Sequence, residues 1–189
     1  MPTGEVRPRS QVHAEGLYHR AVHVWLVAPS RGEVLLQLRA ACKDSWPGRL
    51  DISCAGHISA GDLPLETAVR ELQEELGLRL PPSRFVFLQL YLERLASVQG
   101  GRPFINNEWV HVYAIRLEEA ERAELEPGAP AWSLQASEVE AISWWPHREV
   151  VRLYETGDAR IVPSSDWGTY KSVLEAIAGG GLEGAAGKI

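Results

Sequence analysis

Between Pro64 and Gly77 the chain carries a segment that admits one conformation and makes one demand on its surroundings. Leu65, Ala68, Val69, Leu72 and Leu76 recur at helical spacing, Pro64 stands at the start and Gly77 just past the end. The pattern predicts a helix over residues 65–76 with Asp62 as its candidate cap. Glu71, Glu74 and Glu75 stand at i, i+3 and i+4, so they project from a single arc of that helix with Cβ atoms roughly 5 to 6 Å apart. At an effective dielectric near 20 each close pair of such charges costs about 3 kcal/mol. A helix that keeps them partly buried must protonate one member or bind a cation, and hard oxygen donors in this number favour Mg²⁺ or Mn²⁺. Taken alone, the commoner reading of three helical glutamates is a solvated acidic face.

The rest of the chain sets the frame for that helix. With 189 residues, one core is expected. The net charge of −6 excludes a broadly basic groove for a nucleic acid polymer, so any anion must be held locally. Apolar runs reach strand length and fall far short of the roughly 20 residues of a membrane span. No apolar signal segment is found in residues 1–11, so an intracellular, cytoplasmic chain is expected. Two cysteines, Cys42 and Cys54, are too few for a disulfide framework.

Strands are expected over residues 21–27 and 33–38, flanking a turn at Pro29-Ser30-Arg31-Gly32, and over residues 85–92, 109–117 and 139–145. Apolar side chains at both odd and even positions of the first strand imply a sheet covered on both faces. Further helices are expected near residues 147–154 and 167–178. Residues 179–189, mostly Gly and Ala, are expected to form a flexible tail behind a domain of residues 1–178.

The neighbours of the acidic helix change its reading. Gly56, Asp62 six positions on, and Arg70-Glu71-Leu72-Gln73-Glu74-Glu75-Leu76-Gly77-Leu78 together resemble the Nudix box: a Gly, an acidic residue, then Arg-Glu-aliphatic-any-Glu-Glu-any-Gly-aliphatic. The one departure is Asp62, where the family usually has Glu. The resemblance implies an α/β (α+β) Nudix fold, a mixed β-sheet sandwiched between α-helices in three layers, α/β/α. It implies that Glu71, Glu74, Glu75 and the Gly56 carbonyl hold divalent metal, Mg²⁺ or Mn²⁺, against a diphosphate, and that Arg70 pairs with a box glutamate. The chemistry is consistent with this, because water attack on a diphosphate needs neutralised charge and in-line placement. Outside the box, Glu108 follows Phe104-Ile105-Asn106-Asn107 at the start of an expected strand. A glutamate there is costly to bury unless paired or metal-bound, which makes it a candidate ligand or base, against the alternative of an edge charge.

A second run, Arg39-Ala40-Ala41-Cys42-Lys43-Asp44-Ser45-Trp46-Pro47-Gly48 followed by Ser53-Cys54-Ala55-Gly56-His57, is similar to isopentenyl diphosphate isomerase, itself a Nudix-fold enzyme. It implies that Arg39 and Lys43 bind the substrate diphosphate; the alternative is two exposed loop cations. The isomerase's catalytic Cys directly precedes the Gly-His pair, where this chain has Ala55. Cys54 comes one residue too early, and on a strand that turns a side chain to the opposite face. The isomerase's metal-binding histidines are matched by His19 and His57 together with Glu108; His13 is one residue off and Asn106 replaces a glutamate. Trp25, Trp46, Trp109 and Trp167 lie on segments that can approach a pocket, although core packing is the commoner role.

With the box glutamates retained, the expected activity is that of a metal-dependent Nudix hydrolase. It would cleave a diphosphate bond in a small-molecule substrate, a nucleoside diphosphate derivative or an isoprenoid diphosphate, by metal-activated water. The alternatives are an isomerase-like enzyme and a non-catalytic ligand-binding module. No nucleic acid polymer or membrane is expected as a partner, and a homodimer is left open. Substrate choice is expected in loops at residues 96–102 and 126–133.

Overall fold

The first long strand, β1 (Tyr18–Ala28), buries every residue from Ala21 onward except the half-buried His23, as a strand must when both its faces are covered. Trp25 and Val27 enter one apolar cluster, and Val22, Val24 and Leu26 enter another. The computed structural model, which describes residues 4–165 and 167–178, builds a seven-stranded sheet around β1. The other strands are β2 (Glu33–Arg39), β3 (Leu50–Asp51), β4 (Cys54–His57), β5 (Val86–Gln99), β6 (Arg102–Arg116) and β7 (Val139–Pro146). β1 runs parallel to β6 from Tyr18 opposite Asn107 to Val27 opposite Arg116. The remaining pairs are antiparallel, so the sheet is mixed.

Helices cover both faces. Of α1 (Arg9–Glu15), α2 (Pro64–Leu76), α3 (Glu119–Glu124), α4 (His147–Glu155) and α5 (Trp167–Ala178), α2 sends Ala68, Leu72 and Leu76 into the cluster of Val22, Val24 and Leu26. Val150 and Leu153 of α4, with Tyr170 and Leu174 of α5, close the opposite cluster around Trp25. The architecture is the expected mixed sheet flanked by helices. Among the described residues no helix is long and apolar enough to cross a membrane. The expected tail, residues 179–189, lies outside the described residues.

Two local arrangements position the site. The second edge of β1 is shared, with β4 pairing Ala21 to Val24 and β2 pairing Val27 and Ala28. Ser53 fills the fork: its Oγ accepts from the Leu26 N–H at 2.9 Å and donates to the Leu35 carbonyl at 2.7 Å. A hydroxyl thus replaces ladder bonds where two strands part, and β4 is left free to carry Gly56 beside α2. At the other end of α2, Gly77 has φ 79° and donates to the Gln73 carbonyl. The segment after α3 docks there, with the Ser133 N–H on the Leu76 carbonyl at 3.0 Å and the Gln135 N–H on the Glu75 carbonyl at 2.9 Å. These bonds satisfy helix-end acceptors that have no partner within α2. A Cβ at Gly77 would lie 2.7 Å from the Ser133 nitrogen, so no larger residue permits that docking.

Several expectations are corrected. Asp62 does not cap α2: the N-cap is Leu63, without a side-chain bond, and the Asp62 carboxylate takes the stronger charge-assisted bond from Arg70. Residues 96–102, expected as a loop, are the tip of a hairpin in which Gln99 pairs with Arg102 across Gly100-Gly101. Exposed positions at Ala96, Val98, Arg102 and Pro103 leave that ladder without the apolar run that marks a buried strand. Because β6 begins at Arg102, Glu108 sits in mid-strand and not at a strand start. The short elements α1, β3 and α3 were not expected.

Candidate active site

Glu71, Glu74 and Glu75 open into a cavity of about 380 Å³. Glu75 is the most enclosed, with its carboxylate 3.4 Å from both the Ala55 N–H and the Gln37 amide. Burial, reinforced by the Glu71 charge, pushes its pKa up to about 7. Burial also raises that of Glu71; Arg70 opposes the rise and Glu74 adds to it. The crowding read from the spacing is therefore present as proton affinity. Gly56 is the floor under Glu71: a Cβ at Gly56 would meet the Glu71 Cδ at 2.3 Å and its Oε2 at 2.6 Å. Arg70 reaches Glu71 only at 3.6 Å, while its close bond, 2.8 Å, goes to Asp62. The expected pairing of Arg70 with a box glutamate is thus secondary to one with the shorter Asp62.

Glu108 lies in the same cavity. The parallel register of β1 and β6 sets His19 opposite it, and the ladder between β1 and β4 brings His57 alongside. The Glu108 Oε1 is 3.1 Å from His19 Nε2 and 2.9 Å from His57 Nε2. Burial alone would raise its pKa, but hydrogen bonds from His19 and His57 hold it well below the usual carboxylate range. His13, carried by α1, stacks on Phe104 with ring centroids 4.4 Å apart. Burial, together with the neighbouring His57 and His19, lowers its pKa to about 4, so its ring is neutral. Neither of its ring nitrogens has a hydrogen-bond partner among the described residues. One ring nitrogen from each of His13, His19 and His57 lies within 4.8 Å of the others, so α1 completes a grouping that the sequence left one residue out of step.

The cations are mostly engaged. Arg39 lines the cavity but gives Nη1 to Asp51 at 2.8 Å and turns Nε and Nη2 to the Ser45 carbonyl. Lys43 is ion-paired with Glu138. Arg9, also on α1 and lining the cavity, has no hydrogen-bond or ion-pair partner among the described residues. Sequence reasoning missed it because a seven-residue helix preceded by Pro8 carries little periodic signal. Glu93 was missed as well. It is buried opposite Glu108 in the hairpin register and accepts from Tyr91, Ser164 and the Ser165 N–H. Only that register brings the two carboxylates side by side.

Cys54 is buried in the cluster with Leu72, where burial drives its thiol pKa well up, while Ala55 faces the cavity. Both cysteines are free. Of the tryptophans, Trp46 lines the cavity, Trp25 is core and Trp109 is exposed.

The donor set suits a hard divalent ion. It is made of carboxylates at α2, buried and crowded enough to bring Glu75 close to protonation, with Asp51, Glu93, Glu108 and Glu138 adding negative charge around it. A diphosphate cannot approach such a wall unless cations offset it.

Residues 17–167 match the NUDIX domain family. The chain is 42% identical over 176 residues to Nudix hydrolase 3 of Arabidopsis thaliana, covering 93% of this chain and 22% of that protein's length. It is 29% identical over 157 residues to an isopentenyl-diphosphate Delta-isomerase of Cutibacterium acnes, covering 82% of this chain and 74% of the relative. The fold is similar to the crystal structure of DR0079 from Deinococcus radiodurans, with a TM-score of 0.56, 16% identity, and coverage of 84% of this chain and 82% of that one.

Proposed function

Because the chain belongs to the Nudix family, we propose that it hydrolyses the diphosphate bond of a small molecule with Mg²⁺ or Mn²⁺ as cofactor. One observation carries this reading: the three box glutamates share a single cavity with Arg9, Arg39 and Lys43, so anionic donors for an ion and cationic donors for a phosphate face the same space. Glu71, Glu74 and Glu75, with the Gly56 carbonyl, hold the ion. When bound, it offsets phosphate charge and acidifies water.

The protein's own residues do the rest. Arg70 and Asp62 brace the start of α2, and Gly56 sets the depth of the Glu71 carboxylate. Arg9, with its donors free, meets the incoming phosphate, while Arg39 and Lys43 contribute the N–H groups their partners leave open. The pKa of Glu75, about 7 in the metal-free site, reports how much negative charge is left unbalanced at α2, which is what a bound cation would offset. Substrate classes consistent with the cavity are nucleoside diphosphate derivatives and isoprenoid diphosphates, for which Trp46, Leu95 and Phe104 offer apolar surface. A panel of both, incubated with Mg²⁺ and read by mass for phosphate-containing products, tests the reading. Turnover of at least one member that falls about a hundredfold or more in Glu75→Gln is expected. Equal turnover by the two proteins would remove Glu75 from the chemistry.

A second reading, isomerase-like chemistry on an isoprenoid diphosphate, draws support from the convergence of His13, His19 and His57. The inward-turned Cys54 opposes it. Deuterium uptake from solvent into the carbon skeleton would favour isomerisation over hydrolysis.

A further inference from the structure

Lys43 and Glu138 are far apart in sequence, yet the backbone holds them face to face. The Lys43 N–H donates to the Ala40 carbonyl at 3.1 Å, the Ala40 N–H to the Glu138 carbonyl at 2.9 Å, the Glu138 N–H to Gln135 at 2.8 Å and the Gln135 N–H to the Glu75 carbonyl at 2.9 Å. An unbroken series of bonds therefore runs from the last turn of α2 to the ammonium-bearing turn. The two side chains form a close ion pair and are only 14% and 31% exposed. Both line the cavity with Glu71, Glu74 and Glu75, and the Glu138 charge raises the proton affinity of both Glu71 and Glu75.

An ammonium on a four-carbon stem seeks the nearest carboxylate. Of the other carboxylates in this cavity, Asp51 is held by Arg39, Glu93 accepts from Tyr91, Ser164 and the Ser165 N–H, and Glu108 is bonded to His19 and His57. Without the charge of Glu138, the carboxylates of this cavity left to Lys43 are those of α2, the donors that a divalent ion requires. A tethered cation competes there at high effective concentration. We propose that Glu138 is a positioning residue whose carboxylate holds the Lys43 ammonium away from Glu71, Glu74 and Glu75 and so keeps them open to a divalent cation. This rests on the reading of those glutamates as metal ligands. It assigns a site role to a residue outside the box, on the segment that Gly77 allows to dock.

The test is Mn²⁺ alone, titrated into the full chain and read as free ion by electron paramagnetic resonance. Glu138→Gln is expected to weaken Mn²⁺ binding about tenfold. Adding Lys43→Met to it should restore affinity to within about twofold of the wild type, because the competing ammonium is gone. Glu138→Asp, which keeps the charge, should stay near the wild type. Equal weakening in Glu138→Gln and in the double variant would overturn the proposal, since Glu138 would then act as a ligand or as a support. An unchanged Glu138→Gln would overturn it as well. If Glu138→Gln does not fold, Lys43→Met alone decides: Mn²⁺ affinity at or above the wild-type level supports the proposal, and a loss overturns it. Glu71→Gln separates the two levels of argument. If it binds Mn²⁺ as tightly as the wild type, the metal-ligand reading itself fails.

Discussion

Replacing Gly56 by Ala adds one methyl group where the structure has no room for it. The new Cβ would lie 2.3 Å from the Glu71 Cδ and 2.5 Å from its Cγ, against an ordinary carbon contact of about 3.5 Å, so the carboxylate must retreat by about 1 Å. The backbone itself accepts the change, because Gly56 is a strand residue without positive φ. Alanine there reduces unfolded-state freedom, worth about 0.5 kcal/mol of stability, which offsets part of the strain. The damage therefore falls on the position of Glu71. A misplacement of about 1 Å at a reacting centre costs on the order of a hundredfold in turnover. Three measurements on Gly56→Ala check this: Mn²⁺ titration, turnover of whichever diphosphate the panel identifies, and thermal unfolding. The expected pattern is weakened Mn²⁺ binding and turnover down about a hundredfold, with a melting temperature within about 3 °C of the wild type. Unchanged turnover and unchanged Mn²⁺ affinity would show that the seat of Glu71 on Gly56 is irrelevant to the chemistry. A large fall in melting temperature would show that the clash is absorbed by the fold instead.

Two further outcomes are expected. Glu75 has a folded pKa of about 7 against an ordinary 4.5, so between those values the folded state binds more protons than the unfolded one. Stability of the metal-free protein should therefore fall as pH rises through this window, by about 3 kcal/mol in all. Glu75→Gln should then be the more stable protein at pH 8 in EDTA and lose that advantage towards pH 5, which chemical denaturation at the two pH values would reveal; a gap independent of pH contradicts the assignment. In the native protein a thiol reagent should label the exposed Cys42 and leave the buried Cys54 untouched, as peptide mapping would show, and native labelling of Cys54 would reopen the isomerase reading.

The parts of the fold legible in the sequence are those whose signal is local. The helix of residues 65–76, its stripe of Ala68, Leu72 and Leu76, and its stop at Gly77 follow from spacing and one turn residue. The burial of β1 on both faces follows from its unbroken apolar run. The opposite facing of Cys54 and Ala55 follows from strand alternation. What stayed hidden depends on partners distant in the chain. The hairpin of β5 and β6 reads as loop beyond Glu93 because its outer half faces solvent. With it were hidden the mid-strand position of Glu108 and the whole of Glu93. Asp62 looks like a cap until Arg70, eight residues on, is seen to take its carboxylate, and Lys43 looks free until Glu138 arrives from another segment. No local pattern encodes which carboxylate a cation will meet.

The two kinds of glutamate in this cavity are sorted by what surrounds them. Glu75 is buried, with a like charge beside it and the Ala55 and Gln37 donors only at 3.4 Å, so its anion is undersupplied and its proton affinity rises. Glu108 has His19 and His57 within hydrogen-bond reach, so its anion is supplied from within the protein. Glu108 thus anchors the histidines, and the charge left unbalanced lies on the α2 side of the cavity. Any ion drawn to His13, whose ring nitrogens are bare, must share His19 and His57 with Glu108. The α2 carboxylates have long contacts to give up, Arg70 at 3.6 Å from Glu71 and the Ala55 N–H and Gln37 amide at 3.4 Å from Glu75. The first divalent ion to enter should therefore settle at α2.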